Sequence, residues 1–170
     1  MDILTAIKGR KSIRKYSTKP IEEEKLNKIL EAIRFAPSAR NGQPYKILVI
    51  RDAAKKAALR KELEAPAYFE DAPVLLAACG LDHAVMNNGQ IKDTIDASIA
   101  MAFAVLQAYE LGLGTVWTAG YDGEKMKKAL GIPAQYSCVT VIPLGYAAED
   151  PDPKPRKELN EIVCYDEFKE

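Results

Sequence analysis

The stretch that decides the fold is Lys92-Asp93-Thr94-Ile95-Asp96-Ala97-Ser98-Ile99-Ala100-Met101-Ala102-Phe103-Ala104-Val105-Leu106-Gln107-Ala108-Tyr109-Glu110-Leu111. Ile95, Ile99, Met101, Ala102, Phe103, Val105 and Leu106 surround nearly the whole circumference of a helix rather than forming one stripe. The spacing therefore predicts a helix over about 92–111 that is buried on several sides. A chain of 170 residues suits one domain with one core. Such a domain has few elements of its own to cover a helix all round, so a partner subunit is expected to share it.

On the N-terminal side, Asp2 can cap a short helix with Ile3, Leu4 and Ile7 on one face and Gly9 as its stop. Arg10 to Tyr16 reads as extended or looped. Pro20 opens a second helix with Leu26, Ile29, Leu30 and Ile33 at helical spacing, ended by Pro37. Ser38-Ala39-Arg40-Asn41-Gly42-Gln43-Pro44 is dense in turn formers and reads as a loop. A strand over 45–50, a helix over 53–63 and a buried strand over 74–79 follow. The stretch from Gly80 to Gln90 is read as a flexible loop.

On the C-terminal side, Gly112 and Gly114 precede a short strand, Thr115-Val116-Trp117, with Trp117 expected in the core. Asp122 caps an amphipathic helix through Leu130, closed by Gly131 and Pro133, and 136–144 is a strand. From Glu149 onward Pro151, Pro153 and Pro155 enforce an extended arm. It ends in a strand-like Ile162-Val163-Cys164-Tyr165, for which a second subunit is the natural dock. The chain shows no internal repeat and no second domain, and reads as one domain over 1–170, with 149–170 as its arm.

Lys plus Arg and Asp plus Glu each number 24, so the formal net charge is zero. That balance argues against a general nucleic-acid or membrane-surface binder. No apolar run approaches the ~20 residues that cross a bilayer, and the first residues lack a secretory signal. Cys79, Cys138 and Cys164 form no CxxC pair and read as reduced, structural thiols of a cytoplasmic protein.

The single histidine, His83, has no Cys or carboxylate cluster at ligand spacing, so no metal site is expected, and it reads as an incidental surface residue or a contact to substrate. There is no GxSxG elbow, no Walker loop, and no third glycine beside Gly112 and Gly114. Redox chemistry here requires a bound cofactor. Arg10-x-Ser12-x-Arg14 sets three polar groups on one side of an extended strip, a fork-and-hydroxyl set apt for phosphate. Lys154-x-Arg156 is a second alternating basic pair, and Pro37 to Pro44 a rigid loop bearing amides and a hydroxyl.

In order along the chain stand RxSxR, then APSxxNxQP before a strand, an Asp-led long helix, GLGTxW, PxGY and a KxR pair. With this series the sequence resembles the FMN-dependent nitroreductase family over essentially its whole length. The resemblance implies an α+β fold, a three-layer α/β/α sandwich around a mixed, mainly antiparallel sheet, with the C-terminal arm exchanged in a homodimer and FMN in a crevice at the interface. It implies that Arg10, Ser12, Lys154 and Arg156 hold the phosphate and Arg14 the ribityl chain and pyrimidine edge. Pro37, Ser38, Ala39 and Asn41 would come from the other subunit, with Gln43 and Pro44 shaping the entry to the strand. Thr118, Ala119 and Gly120 would present backbone amides to the flavin edge. NADH or NADPH would be the donor and a small electrophile, nitroaromatic or quinone, the acceptor, exchanged by a ping-pong scheme that needs no catalytic side chain.

The short 80–91 loop suggests an open substrate pocket lined by Tyr68, Phe69, Asn87 or Tyr121. Three alternatives stay open. The same fold supports reductive dehalogenation or a flavin-consuming oxygenase, a non-catalytic FMN-binding protein keeps the same cations, and a phosphate-ligand protein needs no flavin at all.

Overall fold

The computed structural model describes residues 2–168; Met1, and Lys169 and Glu170 at the end of the arm, lie outside them. The elements run α1 (Ile3–Gly9), α2 (Glu23–Arg34), β1 (Tyr45–Ile50), α3 (Ala53–Glu62), α4 (Tyr68–Asp71), β2 (Val74–Gly80), α5 (Lys92–Glu110), β3 (Gly114–Thr115), α6 (Gly123–Leu130) and β4 (Ser137–Gly145). The strands form one sheet in the order β1-β2-β4-β3, antiparallel throughout. A parallel bridge from Ser12 to Thr115 makes the sheet mixed at its β3 edge.

Alternation along β2 builds the layers. Val74, Leu76 and Ala78 point to one face, where they meet Leu26, Ile29 and Ile33 of α2 and the Ala97, Ala100, Met101, Ala104 and Ala108 stripe of α5. Leu75 and Ala77 point to the other, against Leu59 of α3, Phe69 of α4 and Met126 of α6. Every residue of β2 is buried, as the central strand of a three-layer α/β/α sandwich must be. The small residues of α5 let the helix lie close on the sheet.

The outer side of α5 is different. Phe103 and Ala102 are exposed, and Ile95, Ile99 and Leu106 are only half-buried. On α1 beside it, Ile3 (76% exposed), Leu4 and Ile7 stand open. The all-round apolar pattern thus divides into a face packed on the chain's own sheet and a face without cover in the single chain.

Several boundaries differ from the sequence expectation. α2 begins at Glu23 rather than at Pro20, and α4 is a turn that no periodicity announced. Trp117 is 42% exposed, not core, because the ladder to β4 is interrupted between Thr115 and the Thr118–Val141 bridge and Val116 takes the inward position. The 159–165 region holds a short 3-10 turn at Leu159–Glu161 and no strand. The 80–91 segment is not loose: Val85 bridges Ile91, Met86 N–H donates to Gln90 O and Gly89 N–H to Met86 O. Gly89, at φ 80°, makes that turn.

Asp122 caps α6 as the sequence predicts, its Oδ1 accepting from Glu124 and Lys125 N–H at 3.0 Å each. Asp122→Ala should cost about 1 kcal/mol and lower Tm by roughly 2–4 °C. An unchanged melting curve would show that the cap adds nothing to the packing of Met126.

Candidate functional site

The site begins where the two ends of the chain meet. Ile13 N–H donates to Thr115 O at 2.9 Å, laying the Arg10–Tyr16 strip along β3. Gly114 permits this approach, since a Cβ there would stand 2.7 Å from the Ile13 side chain. Further along, Ser17 N–H donates to Tyr146 O and Ala148 N–H to Lys15 O, both at 2.9 Å. Glu149 then closes the junction: its Oε1 accepts Arg14 N–H at 2.5 Å and Lys15 N–H at 3.1 Å, while Lys11 pairs with Asp150 at 2.6 Å.

This lattice uses Lys11 and leaves the other cations of the strip. Among the described residues, Arg10, Arg14, Lys154 and Arg156 have no carboxylate partner. Arg14 makes only a long 3.4 Å contact to Ser12 O. Arg10 lines a cavity of about 250 Å³ with Gly9, Ile13, Thr115 and Glu149. Lys154 and Arg156 are exposed on the arm. At ~3.5 Å per extended residue they stand within about 14 and 21 Å of Asp150. Ser12 is half-buried and bridges Thr115 of β3.

Beyond β3, Thr118 turns out to use its backbone internally. Its N–H donates to Val141 O at 3.2 Å and its O accepts from Val141 N–H, so no Thr118 amide is left for a ligand. What remains is Thr118 Oγ1, a buried hydroxyl without a hydrogen-bond partner among the described residues. Ala119 and Gly120 are exposed, with open space where a Gly120 Cβ would point.

The Pro37–Gln43 loop sits at the opposite end of β1. Arg40, Asn41 and Gln43 all hold left-handed φ (55°, 55° and 45°), a conformation costing non-glycine residues roughly 1–3 kcal/mol each. Local bonds over-determine it: Ser38 Oγ accepts Gln43 N–H at 3.1 Å, and Gln43 Nε2 donates to Asn41 O and Oδ1. Both carboxylate oxygens of Asp96, a residue buried within α5, receive Ala39 N–H, at 3.1 and 3.2 Å. Strain held this firmly concentrates at binding sites.

The four residues suggested for a substrate pocket fare unevenly. Phe69 has 0% exposure and is part of the core, so it offers no surface to a ligand. Tyr68 packs against it with ring centroids 5.7 Å apart. Tyr121 donates its hydroxyl to Cys138 O at 3.1 Å, and burial raises its phenol well above the usual range. Asn87 alone is exposed, on the turn of the 80–91 segment. Burial likewise pushes the Cys79 thiol up to about 11, which fits an inert strand residue.

Two carboxylates were missed by sequence reasoning. Asp93 and Asp96, one turn apart at the start of α5, are both buried, and Asp93 binds His83. Their signal was a pair of acids three residues apart in line with Ala97, Ala100 and Ala104, the face that packs on the sheet.

The nitroreductase family model matches residues 7–87 and 62–146, and the chain belongs to that family. An NADH dehydrogenase of Thermus thermophilus is 34% identical, across 97% of this chain and 96% of its own. The crystal structure of a nitroreductase family protein from Clostridium novyi superposes with a TM-score of 0.81 at 32% identity, covering 88% of this chain and 87% of the other. An FMN-dependent nitroreductase from Clostridium difficile gives 0.82 at 29%, covering 97% and 99%. Among the described residues no helix is long and apolar enough to cross a membrane, and no cluster of three metal-ligating side chains occurs.

Proposed function

We propose that this chain is an FMN-dependent NAD(P)H oxidoreductase that serves small electrophilic acceptors such as quinones and nitroaromatics, and that it works as a cytoplasmic homodimer. The observation that carries the reading is the set of cations without carboxylate partners, Arg10 and Arg14 on the strip at the junction of the two chain ends and Lys154 and Arg156 on the arm that leaves it. Arg10, Ser12, Lys154 and Arg156 would hold the phosphate, whose near-double negative charge needs several cationic donors. Arg14 brings a fixed guanidinium to the pyrimidine side of the ring, where negative charge collects on reduction. The exposed backbone at Ala119 and Gly120 suits the flavin edge, whereas Thr118, its amide taken by Val141 and its hydroxyl buried, presents no donor there. These residues fit the group. The names of the Clostridium difficile and Thermus thermophilus relatives point the same way.

Bound there, the flavin would take hydride from NADH or NADPH and pass electrons to the acceptor once the nicotinamide has left, a two-stroke exchange at one place. The protein's part is to fix and to cover. A second copy would bury the open apolar face of α1 and α5, where Ile3, Phe103 and Leu106 border a cavity of about 350 Å³. It would also receive the arm, whose Leu159, Ile162, Tyr165 and Phe168 are all exposed. The strained Pro37–Asn41 loop would then reach over the partner's flavin.

The test is an absorbance spectrum of the purified protein under anaerobic conditions. A yellow protein bleached by NADH or NADPH, and recoloured by a quinone or nitroaromatic, is expected. A colourless protein that ignores added FMN would overturn the reading. A flavin that neither nicotinamide bleaches would favour the non-catalytic binding protein or the dehalogenating and oxygenase chemistries.

A further inference from the structure

His83, the chain's single histidine, is a surface residue held at one ring nitrogen. Its Nδ1 lies 2.7 Å from Oδ2 of Asp93, a carboxylate with 0% exposure, while half of the His83 side chain stays open to solvent. Oδ2 also accepts Asp82 N–H at 3.2 Å, and Lys92 pairs with Asp82 at 2.7 Å, so the segment bearing His83 is fastened to the start of α5. Gly80 makes room for this: a Cβ there would collide with both Asp93 Oδ2 and Ser137 Oγ. A buried carboxylate on Nδ1 fixes the ring's orientation and tautomer and turns Nε2 outward, the arrangement of an imidazole that transfers protons.

The place matches the role. Leu81 N–H donates to Pro44 O at 2.9 Å, and Lys92 Nζ lies 3.5 Å from where a Gly42 Cβ would stand. The same helix start that holds His83 through Asp93 therefore holds the Pro37–Gln43 loop through Asp96, one turn on. Two-electron reduction of a quinone consumes two electrons and two protons. A hydride brings both electrons and one proton, and the second proton must come from elsewhere.

We propose that His83 delivers this second proton to the acceptor, with Asp93 as its positioning residue. The inference rests on the oxidoreductase reading above. The Nε2–H bond breaks as the acceptor O–H bond forms, and the neutral ring is reprotonated from the solvent it faces. Asp93 from α5 and Asp82 from its own segment, with Lys92 bound to Asp82, are the charged groups against the ring.

A single histidine gives a single set of imidazole NMR signals, which permits a test without turnover. In the oxidised holoprotein, menadione should shift these signals, and the neutral ring should carry its proton on Nδ1. Asp93→Asn should abolish that tautomer preference. In turnover, His83→Gln should lower the menadione rate by roughly 100-fold or more relative to the rate with ferricyanide, which takes up no proton. Should menadione leave the ring signals unmoved, or should the two acceptors' rates fall in parallel, His83 is a peg for its segment and the inference is overturned. Failure of the wild-type protein to oxidise any nicotinamide would instead sink the oxidoreductase reading, and the menadione effect on the ring would still decide whether His83 meets the acceptor.

Discussion

Arg10→Ala is expected to weaken FMN binding by about 1.5–3 kcal/mol, a rise in Kd of roughly 10- to 150-fold, while leaving the fold intact. The magnitude is that of one hydrogen bond to a charged group, taken from a cation that has no competing carboxylate. Lys11 is its internal control. It stands one residue along but is paired with Asp150, so Lys11→Ala should affect flavin affinity far less and act on the seam between the termini. Quenching of FMN fluorescence on titration with flavin-free protein measures both. Equal affinity of Arg10→Ala and the wild type would remove Arg10 from the phosphate site, and an equal loss in the two variants would point to the seam instead. The half-buried position of Arg10 at the mouth of a cavity argues for a specific contact, because a solvated basic strip would show no such contrast.

Much of this arrangement is legible in the chain. The apolar α5, the Asp2 and Asp122 caps and the continuous apolar run of β2 after Pro73 need only periodicity and turn chemistry, and they place the central strand and the helix that covers one of its faces. Residues that act through long-range packing are harder to see. Phe69 and Tyr121 follow loop-like sequence, and only the fold shows that the layer beneath β2 claims them. Trp117 was misplaced for the converse reason, since an aromatic after a glycine-rich turn reads as core unless the strand stops after Thr115. Thr118 shows a subtler limit: its proximity follows from motif order, but the consumption of its amide by Val141 depends on the β4 register. Asp96 and Glu149 are harder still, because the partner of each is a backbone N–H far along the chain, Ala39 for one and Arg14 and Lys15 for the other, and sequence carries no mark of that pairing.

The arm provides the second large effect. Removing residues 149–170 deletes three kinds of interaction at once. Glu149 ceases to accept the Arg14 and Lys15 amides and Asp150 no longer holds Lys11. Lys154 and Arg156 vanish from the phosphate side, and the exposed Leu159, Ile162, Tyr165 and Phe168 are lost to any partner. Two charged contacts to phosphate alone amount to about 3–6 kcal/mol, so the truncated protein should bind FMN at least roughly 100-fold more weakly. It should also elute as a monomer in size-exclusion chromatography. A chain stopped after Arg156 separates the contributions. It keeps the cations and loses the apolar end, so it should dissociate at higher concentration than the full protein yet retain flavin whenever it is dimeric. If the 149–170 deletion instead yields a stable yellow dimer, the arm neither clasps the partner nor touches the phosphate. The α1–α5 face would then be sufficient for assembly, and Arg10, Ser12 and Arg14 sufficient for the anion.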